Sequence, residues 1–402
     1  MLPFVALVAA ALALPAGLGK YDPESLRIRA FCIGESYYPE TSYPLLLEGD
    51  PRISYIPIPA NIAEADIGGE EAVRKFMRLY LPRTYDQFIS SCDVAIMSDF
   101  EAWLVPNQQF VWMRQAIEEE GMGLAKYEIN WDTSGYIRTS EFLDLWIASP
   151  LFDAFPTDFV MGRQVMLSSG IIPTEGNPVT DLPGIEGYDL LTSGRYGIET
   201  PRQGAEILAI FRNDPDRNPA MISRMFGKGM SLSVLPGLDK IDGVALKEYP
   251  YYADFWINQL YWSANFPIPK DVELVSVVRR DMIRYAESKP MVMSVLDFVE
   301  KFGAKVSVLG DDIGKADQAK SEADRLYMEQ SYVESVEKLN EAYALLAAIS
   351  DKAVELKDKA LFWIYMIEWF TVTGVSMLAG FVLYTLMIKR RLYREVSVTR
   401  AG

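Results

Sequence analysis

Apolar and polar positions alternate with two different periods through the first third of the chain. Short apolar runs predict strands in SLRIRAFCIG, RISYIPIPA, CDVAIMSDF and GLAKYEI, whereas GEEAVRKFMRLY and FVWMRQAIEEE have the spacing of amphipathic helices. Strands that alternate with helices in this way predict βαβ units and a mostly parallel sheet. Continuous apolar strands such as VAIM are typical of a sheet covered on both faces. The pattern therefore predicts an α/β fold.

The pattern changes between Leu151 and about Tyr196, where Pro, Gly, Asp and Thr are frequent. This segment predicts an excursion of short strands and loops. AEILAIFRNDP and PAMISRMF then predict two antiparallel strands around a polar turn, and a further strand follows the GKG motif at Gly227 to Gly229. That motif lacks the spacing of a phosphate-binding loop, so its glycines indicate a tight turn. YYADFWINQLYWSA predicts an aromatic amphipathic helix that closes the domain near Phe266.

Beyond Pro267 the chain becomes largely helical. Residues 268–310 predict a short helical connector, and residues 311–359 predict either a helical hairpin that turns near Gln330 or a continuous coiled-coil stalk. Tyr327 and Tyr332 bracket the polar MEQS segment, which favours the hairpin. Apolar residues at spacings of three and four form a stripe, made by Val333, Val336, Leu339, Ala342, Leu345 and Leu346.

A long apolar segment follows from Leu361 to Ile388 and contains one charged residue, Glu368. About 20 residues are enough to span a bilayer, so residues 360–388 predict a transmembrane helix. KRRLYR follows at once, and this excess of basic residues predicts a cytoplasmic tail at 389–402, with residues 20–359 outside the cell. An ionisable group within a span indicates a role in function or assembly, which we assign to Glu368; the alternative is that Glu368 lies in the headgroup region.

The chain starts with a second apolar segment, MLPFVALVAAALALPAGLG. Its length and small-residue end predict a secretory signal peptide at residues 1–19. No Lys or Arg precedes the apolar run, so an uncleaved N-terminal anchor stays open as the alternative.

The composition excludes several function classes. The net charge of −16 argues against nucleic-acid binding, which requires clustered Lys and Arg. The chain has no histidine, which excludes Ser-His-Asp and Cys-His triads and histidine-based metal sites. We expect no metal and no cofactor. The two cysteines, Cys32 and Cys92, fall in predicted strands; two buried free thiols are expected, with a disulfide as the alternative.

Polar residues collect after three of the predicted strands. In an open α/β sheet, ligands bind outside the carboxyl ends of the strands, so these residues form a candidate ligand-binding pocket. The alternative is that they cap helices and favour turns. The candidates are Glu35 and Ser36 after the first strand, Asp99 and Glu101 after the third, and Tyr127, Glu128, Asn130 and Asp132 after the fourth.

The order of five segments adds a family resemblance. CDVAIMSDFEA, EEEGMGLAKYEIN, SEFLDLWIASPLFDAFP, MISRMFGKGMSLSVLPG and DFWINQLYWSA together resemble the trehalose-utilisation-like branch of the class I glutamine amidotransferase-like superfamily, over residues 25–267. The resemblance implies a flavodoxin-like, three-layer α/β/α domain at residues 24–267. Active members keep a Cys on the strand-turn-helix and a His. Here the matching turn has no Cys, Ser or Thr until Thr133, and the chain has no His, so no catalytic residue is carried over.

These observations predict a single-pass membrane protein, in the style of an archaeal envelope component. Its outer amidotransferase-like domain is a pseudoenzyme that binds a ligand or protein partner at the cell surface. A partner or a second copy would use residues 311–388. One alternative is a carboxylate-dependent hydrolase of envelope glycans that uses Glu35, Asp99 or Glu128. The other is an oligomeric membrane scaffold.

Overall fold

The computed structural model describes Lys20 and residues 26–34, 43–60, 69–98, 102–127, 147–167, 170–191, 194–235, 248–301 and 306–399. The chain forms two compact units. One, called the α/β unit here, comprises Met1–Ala286 with Glu322–Glu337, and the other, the helical unit, comprises Glu287–Ser321 with Lys338–Gly402.

A mixed sheet of eight strands organises the α/β unit. Its strands are β1 (Ile28–Gly34), β2 (Ile53–Pro59), β3 (Val94–Ser98), β4 (Gly123–Tyr127), β6 (Ile171–Pro173), β8 (Glu206–Phe211), β9 (Pro219–Phe226) and β10 (Gly229–Val234). Their spatial order is β2-β1-β3-β4-β10-β9-β8-β6. The first five in this order are parallel, and β9, β8 and β6 each run antiparallel to the neighbour before them. The predicted α/β class, with a mostly parallel sheet, is confirmed.

Two further strands form a separate antiparallel ribbon. They are β5 (Thr157–Leu167) and β7 (Gly194–Pro201), and their register shifts between Val160 and Gln164. The predicted excursion of short strands and loops is therefore only partly right. Its short strand, β6, joins the edge of the main sheet, whereas β5 is an eleven-residue strand that pairs with residues beyond the predicted end of the excursion.

Helices pack on both faces of the sheet. They are α1 (Tyr43–Leu47), α2 (Glu70–Tyr80), α3 (Tyr85–Ser91), α4 (Asn107–Glu120) and α5 (Tyr252–Ser263). Successive side chains of a strand point to opposite faces, so Ala30 packs in a core with α1 and α5, and Phe31 packs in a core with α2 and α4. Both faces of the parallel strands are covered, as their continuous apolar sequences predict.

Helix α5 departs from its predicted amphipathic character. Eleven of its twelve residues are buried, because it lies deep in one of the two cores. At Gly123 the carbonyl of Ser263 leaves no room for a Cβ, which shows how closely the end of α5 approaches the start of β4. The amino-terminal half of α5 therefore lies beside the carboxyl end of β4.

Within residues 268–310, the predicted helical connector, the chain forms a 30-residue helix, α6 (Val272–Lys301), which contains Pro290. Helix α7 (Gly310–Met328) follows, and Gln330 has a left-handed φ of 62° before α8 (Tyr332–Thr399) begins. Within the helical unit, Lys289 lies 2.7 Å from Asp317 and Lys352 lies 2.6 Å from Asp312. Of the predicted apolar stripe, Leu339, Ala342 and Leu346 are buried, Val336 and Leu345 are half-buried, and Val333 is exposed.

Among the described residues, one helix is long and apolar enough to cross a membrane. It lies within α8, and most of its large apolar side chains from Phe362 to Ile388 are exposed. Glu368 is exposed on the same segment.

Cys32 and Cys92 are both buried, and they do not form a disulfide. Cys32 lies in β1, as predicted, whereas Cys92 follows α3 and precedes β3. Cys92 is therefore not a strand residue. It caps the carboxyl end of α3 with an extended backbone, and β3 begins two residues later at Val94.

Candidate functional site

Four adjacent strands end at one level along the edge of the sheet. Gly34 of β1 pairs with Ser98 of β3, Ser98 pairs with Tyr127 of β4, and Tyr127 pairs with Val234 of β10. These are the last residues of their strands. Three of these strands, β1, β3 and β4, lead directly into the predicted ligand-binding residues. The points at which these three segments leave the sheet therefore lie side by side. We call this the carboxyl edge.

Of the eight predicted pocket residues, one lies in the described part of the chain. It is Tyr127, while Glu35, Ser36, Asp99, Glu101, Glu128, Asn130 and Asp132 lie outside the described residues. The structure therefore describes the strand ends from which the predicted pocket begins.

The Tyr127 side chain is buried beneath the carboxyl edge. Its hydroxyl lies 3.4 Å from that of Tyr43, and its ring centroid lies 5.6 Å from that of Tyr43 and 5.8 Å from that of Trp256. Burial raises the pKa of both phenols, so both are neutral at physiological pH. Tyr127 thus supports the edge from within an aromatic cluster.

On the other face of β4, a buried ion pair lies just below the same edge. Lys126 is 2% exposed and Glu199 is 1% exposed, and the ammonium contacts Glu199 Oε1. The second carboxylate oxygen accepts hydrogen bonds from Thr157 Oγ1 at 2.5 Å and Ser233 Oγ at 3.0 Å. Because β7 supplies Glu199 and β5 supplies Thr157, this cluster ties the ribbon to the edge of the sheet.

This ion pair was not predicted from the sequence, although one of its two residues has a sequence signal. A lysine within the continuous apolar strand GLAKY has to be buried, and a buried lysine is almost always paired. Its partner is 73 residues away in the chain, in a ribbon that the pattern did not predict, so the sequence could not name Glu199.

Two buried polar atoms near the carboxyl edge have no hydrogen-bond partner within the described residues. They are Ser98 Oγ and Trp256 Nε1. Such groups are rare in folded proteins, and a bound molecule is one common reason for them. Ser98 is the more informative of the two, because it lies at the end of β3, between Gly34 and Tyr127 in register.

The GKG motif forms a turn at the other end of β10. Gly227 has a left-handed φ of 60°, and the Lys228 amide donates a 3.0 Å hydrogen bond to the carbonyl of Glu118. A Cβ at Gly227 would meet the backbone of Glu118. These contacts explain the glycines by geometry, as the tight-turn interpretation predicted.

No protein-family model matches the chain, and no curated protein matches it. Similar solved structures include the cytoplasmic protein STM1381 from Salmonella typhimurium LT2, at 15% identity over 58% of this chain and 98% of that chain, with a TM-score of 0.43. The cytoplasmic protein STM3548 from Salmonella typhimurium has 16% identity over 59% of this chain and 99% of that chain, with a TM-score of 0.41. The β-galactosidase from Rahnella sp. R3 has 14% identity over 66% of this chain and 36% of that chain, with a TM-score of 0.34. Likenesses at these TM-scores carry no argument about function.

Proposed function

We propose that this chain is a membrane-anchored binding protein whose α/β unit recognises a polar ligand or a protein partner outside the cell. The observation that carries the proposal is the exposed apolar surface of α8 between Phe362 and Ile388. An apolar surface of this length is unfavourable in water and fits the hydrocarbon core of a bilayer. The basic residues after Ile388 hold the tail in the cytoplasm, and residues 1–19 act as the signal peptide.

Binding takes place at the carboxyl edge. The parallel strands have the order β2-β1-β3-β4-β10, which is the order of a flavodoxin-like sheet and supports the amidotransferase-like ancestry. In such sheets ligands bind beyond the carboxyl ends of the strands. Support comes from the common level of four strand ends and from the unpartnered Ser98 Oγ among the described residues.

Binding is favoured over catalysis by the sequence that follows β4. The turn carries Glu128, Asn130 and Asp132, a set that suits a polar ligand, and the chain has no histidine to activate a nucleophile. The alternative is a hydrolase that uses the carboxylates of Glu35, Asp99 or Glu128. It predicts hydrolysis of envelope glycans that is lost in a Glu128→Ala variant.

The scaffold alternative requires an apolar stripe that a second copy could cover. The chain itself buries Leu339, Ala342 and Leu346 of that stripe, which favours binding over a scaffold built through this surface. Assembly through the span would use Glu368, which is exposed. Unchanged oligomer size and expression in a Glu368→Gln variant would contradict that role.

The anchor and its orientation can be tested by thiol labelling on intact cells. Both native thiols are buried, so the maleimide should not reach them. Labelling of the chain then shows whether the single introduced cysteine is accessible. A membrane-impermeant maleimide should label Glu175→Cys in intact cells and should label Ser397→Cys only after the membrane is opened. Labelling in the reverse order, or extraction of the chain by carbonate, would contradict the proposed topology.

Binding at the carboxyl edge can be tested by purification from native membranes in mild detergent, followed by mass spectrometry. We expect a bound molecule with the wild-type chain and with a Glu186→Ala control, whose exposed residue lies in another loop. The Asp99→Ala, Glu128→Ala double variant should lose it. Recovery of the chain alone, as a monomer, would count against a protein partner and against a homo-oligomer.

A further inference from the structure

A surface cavity of about 560 Å³ lies between α2 and the start of α4, within the α/β unit. It shares no residue with the carboxyl edge. Its polar lining comes from five residues, Arg74, Arg78, Arg83, Gln108 and Gln109, and its apolar lining includes Trp112. We call it the arginine groove. Its volume falls within the range of small-molecule sites.

The charge of the arginine groove is opposite to that of the protein. The chain carries −16, yet the described residues that line this cavity include three arginines and no Asp or Glu. Arg74 is paired with Glu70 at 2.6 Å. Among the described residues, neither Arg78 nor Arg83 forms an ion pair, and Arg78 Nε donates to the backbone carbonyl of Arg74 at 3.2 Å. Two guanidinium groups are therefore available to an anion.

A buried acceptor lies in the wall of the same cavity. Gln109 is 6% exposed, and its Nε2 donates to the carbonyl of Pro82 at 2.9 Å. Its Oε1 is closed to solvent and has no partner among the described residues, so a ligand reaches it when the Gln109 side chain turns toward the cavity. A buried acceptor without a partner costs about 1–3 kcal/mol, so a bound donor at this position would recover stability.

We propose that the arginine groove binds a small organic anion. Arg78 and Arg83 hold its carboxylate or phosphate, since guanidinium groups match both in geometry and charge. Gln109 Oε1 accepts a hydrogen bond from an N–H or O–H of the ligand. The half-buried indole of Trp112 packs against a flat apolar part. The ligand class is thus a molecule with a flat ring, one anionic group and at least one hydrogen-bond donor.

The proposal can be tested by calorimetry on the full-length chain in a neutral detergent. The probes are adenosine 5′-monophosphate, 4-aminobenzoate, adenosine and inorganic phosphate. We expect one site for the phosphate-bearing or the carboxylate-bearing planar probe, and the stronger of the two identifies the anionic group. Adenosine alone and phosphate alone should bind at least tenfold more weakly, because each lacks one half of the recognised chemistry. Binding should weaken as salt is added.

Variants assign the binding to the groove. Arg78→Gln with Arg83→Gln should weaken binding at least tenfold, which corresponds to about 1.4 kcal/mol. Gln109→Leu removes the buried acceptor and should also weaken it. Arg217→Gln is the control for each of the two Arg→Gln changes, because this exposed arginine lies in the turn between β8 and β9 and its replacement removes one positive charge, as each change in the groove does. Absence of binding by both planar probes to the folded chain would overturn the proposal, as would equal binding by the double variant and the wild type.

Discussion

The Tyr327 hydroxyl donates a 2.7 Å hydrogen bond to Oδ2 of Asp50, 277 positions earlier in the chain. The same buried oxygen accepts hydrogen bonds from Tyr261 at 2.6 Å and from Arg279 Nη2 at 2.7 Å. Arg279 also bonds Asp254 at 2.7 Å. One carboxylate thereby joins the turn before β2 to α5, α6 and the end of α7, all within the α/β unit.

Replacement of Asp50 by Ala should therefore strongly destabilise the α/β unit. It leaves the Arg279 guanidinium buried with fewer partners, and breaking a buried pair in this way costs about 3–5 kcal/mol. The matched control is Asp158→Ala, since Asp158 also pairs with an arginine but is 57% exposed and should cost about 1 kcal/mol or less. Urea unfolding in detergent, followed by tryptophan fluorescence, measures both. Similar losses for the two variants would contradict the central role of Asp50.

The Asp50 cluster also marks the limit of what the sequence could predict. The local periodicity of apolar residues was sufficient to predict strands β1 to β4 and helices α2 and α4. The partners of Arg279 depend on residues that lie far apart in the chain, and no spacing rule joins Asp50 to Tyr327. The carboxyl edge could be predicted in part. That the strand ends are adjacent follows from the topology of a parallel sheet, whereas the buried position of Tyr127 depends on packing by Tyr43 and Trp256.

The sequence predicts helix at α6, but the length of this helix does not follow from the local pattern, for a different reason. Pro290 interrupts the helical pattern, and an interior proline normally ends or kinks a helix. The structure continues the helix through Pro290 to Lys301. The buried residues Leu296 and Val299 supply packing after the proline that local propensity does not include.

The buried pair of Lys126 and Glu199 should respond non-additively to substitution. Lys126→Met alone leaves a buried carboxylate, and Glu199→Gln alone leaves a buried ammonium, so each should cost about 3–5 kcal/mol. The double variant buries no unpaired charge and should be more stable than the sum of the single effects predicts. A double-mutant cycle by urea unfolding measures the coupling. The control cycle at the exposed pair of Arg74 and Glu70 should give about 0.5 kcal/mol or less. Additive losses at the buried pair would contradict the ion-pair assignment.

Asp254 should make stability depend on acid pH. Burial raises its pKa above the usual value of 3.8, while the charge and hydrogen bond of Arg279 act in the opposite direction. Its Oδ2 is buried without a partner among the described residues, which supports the net upward shift. The folded chain therefore keeps this proton to a higher pH than the unfolded chain does. The stabilisation is fully present below the unfolded pKa and is lost as pH rises through the folded pKa.

We therefore expect the free energy of unfolding of the wild type, relative to that of Asp254→Asn, to fall as pH rises above about 4. Urea unfolding at a series of pH values measures this difference, and Asp158→Asn is the exposed control. A difference that stays constant, or that rises with pH, would contradict the raised pKa of Asp254.

Two glycines with left-handed backbone should respond differently to Ala. Gly227 has a φ of 60° and Gly176 has a φ of 79°, so both variants carry the cost of a side chain in this region, about 1–2 kcal/mol. A Cβ at Gly176 meets nothing within 4 Å, whereas one at Gly227 would overlap the backbone of Glu118. Backbone cannot move aside as a flexible side chain can, so Gly227→Ala should destabilise more than Gly176→Ala in urea unfolding. Because the two share the backbone cost, the difference measures how closely the turn before β10 approaches the end of α4. Equal losses would mean that φ alone determines the glycine at 227.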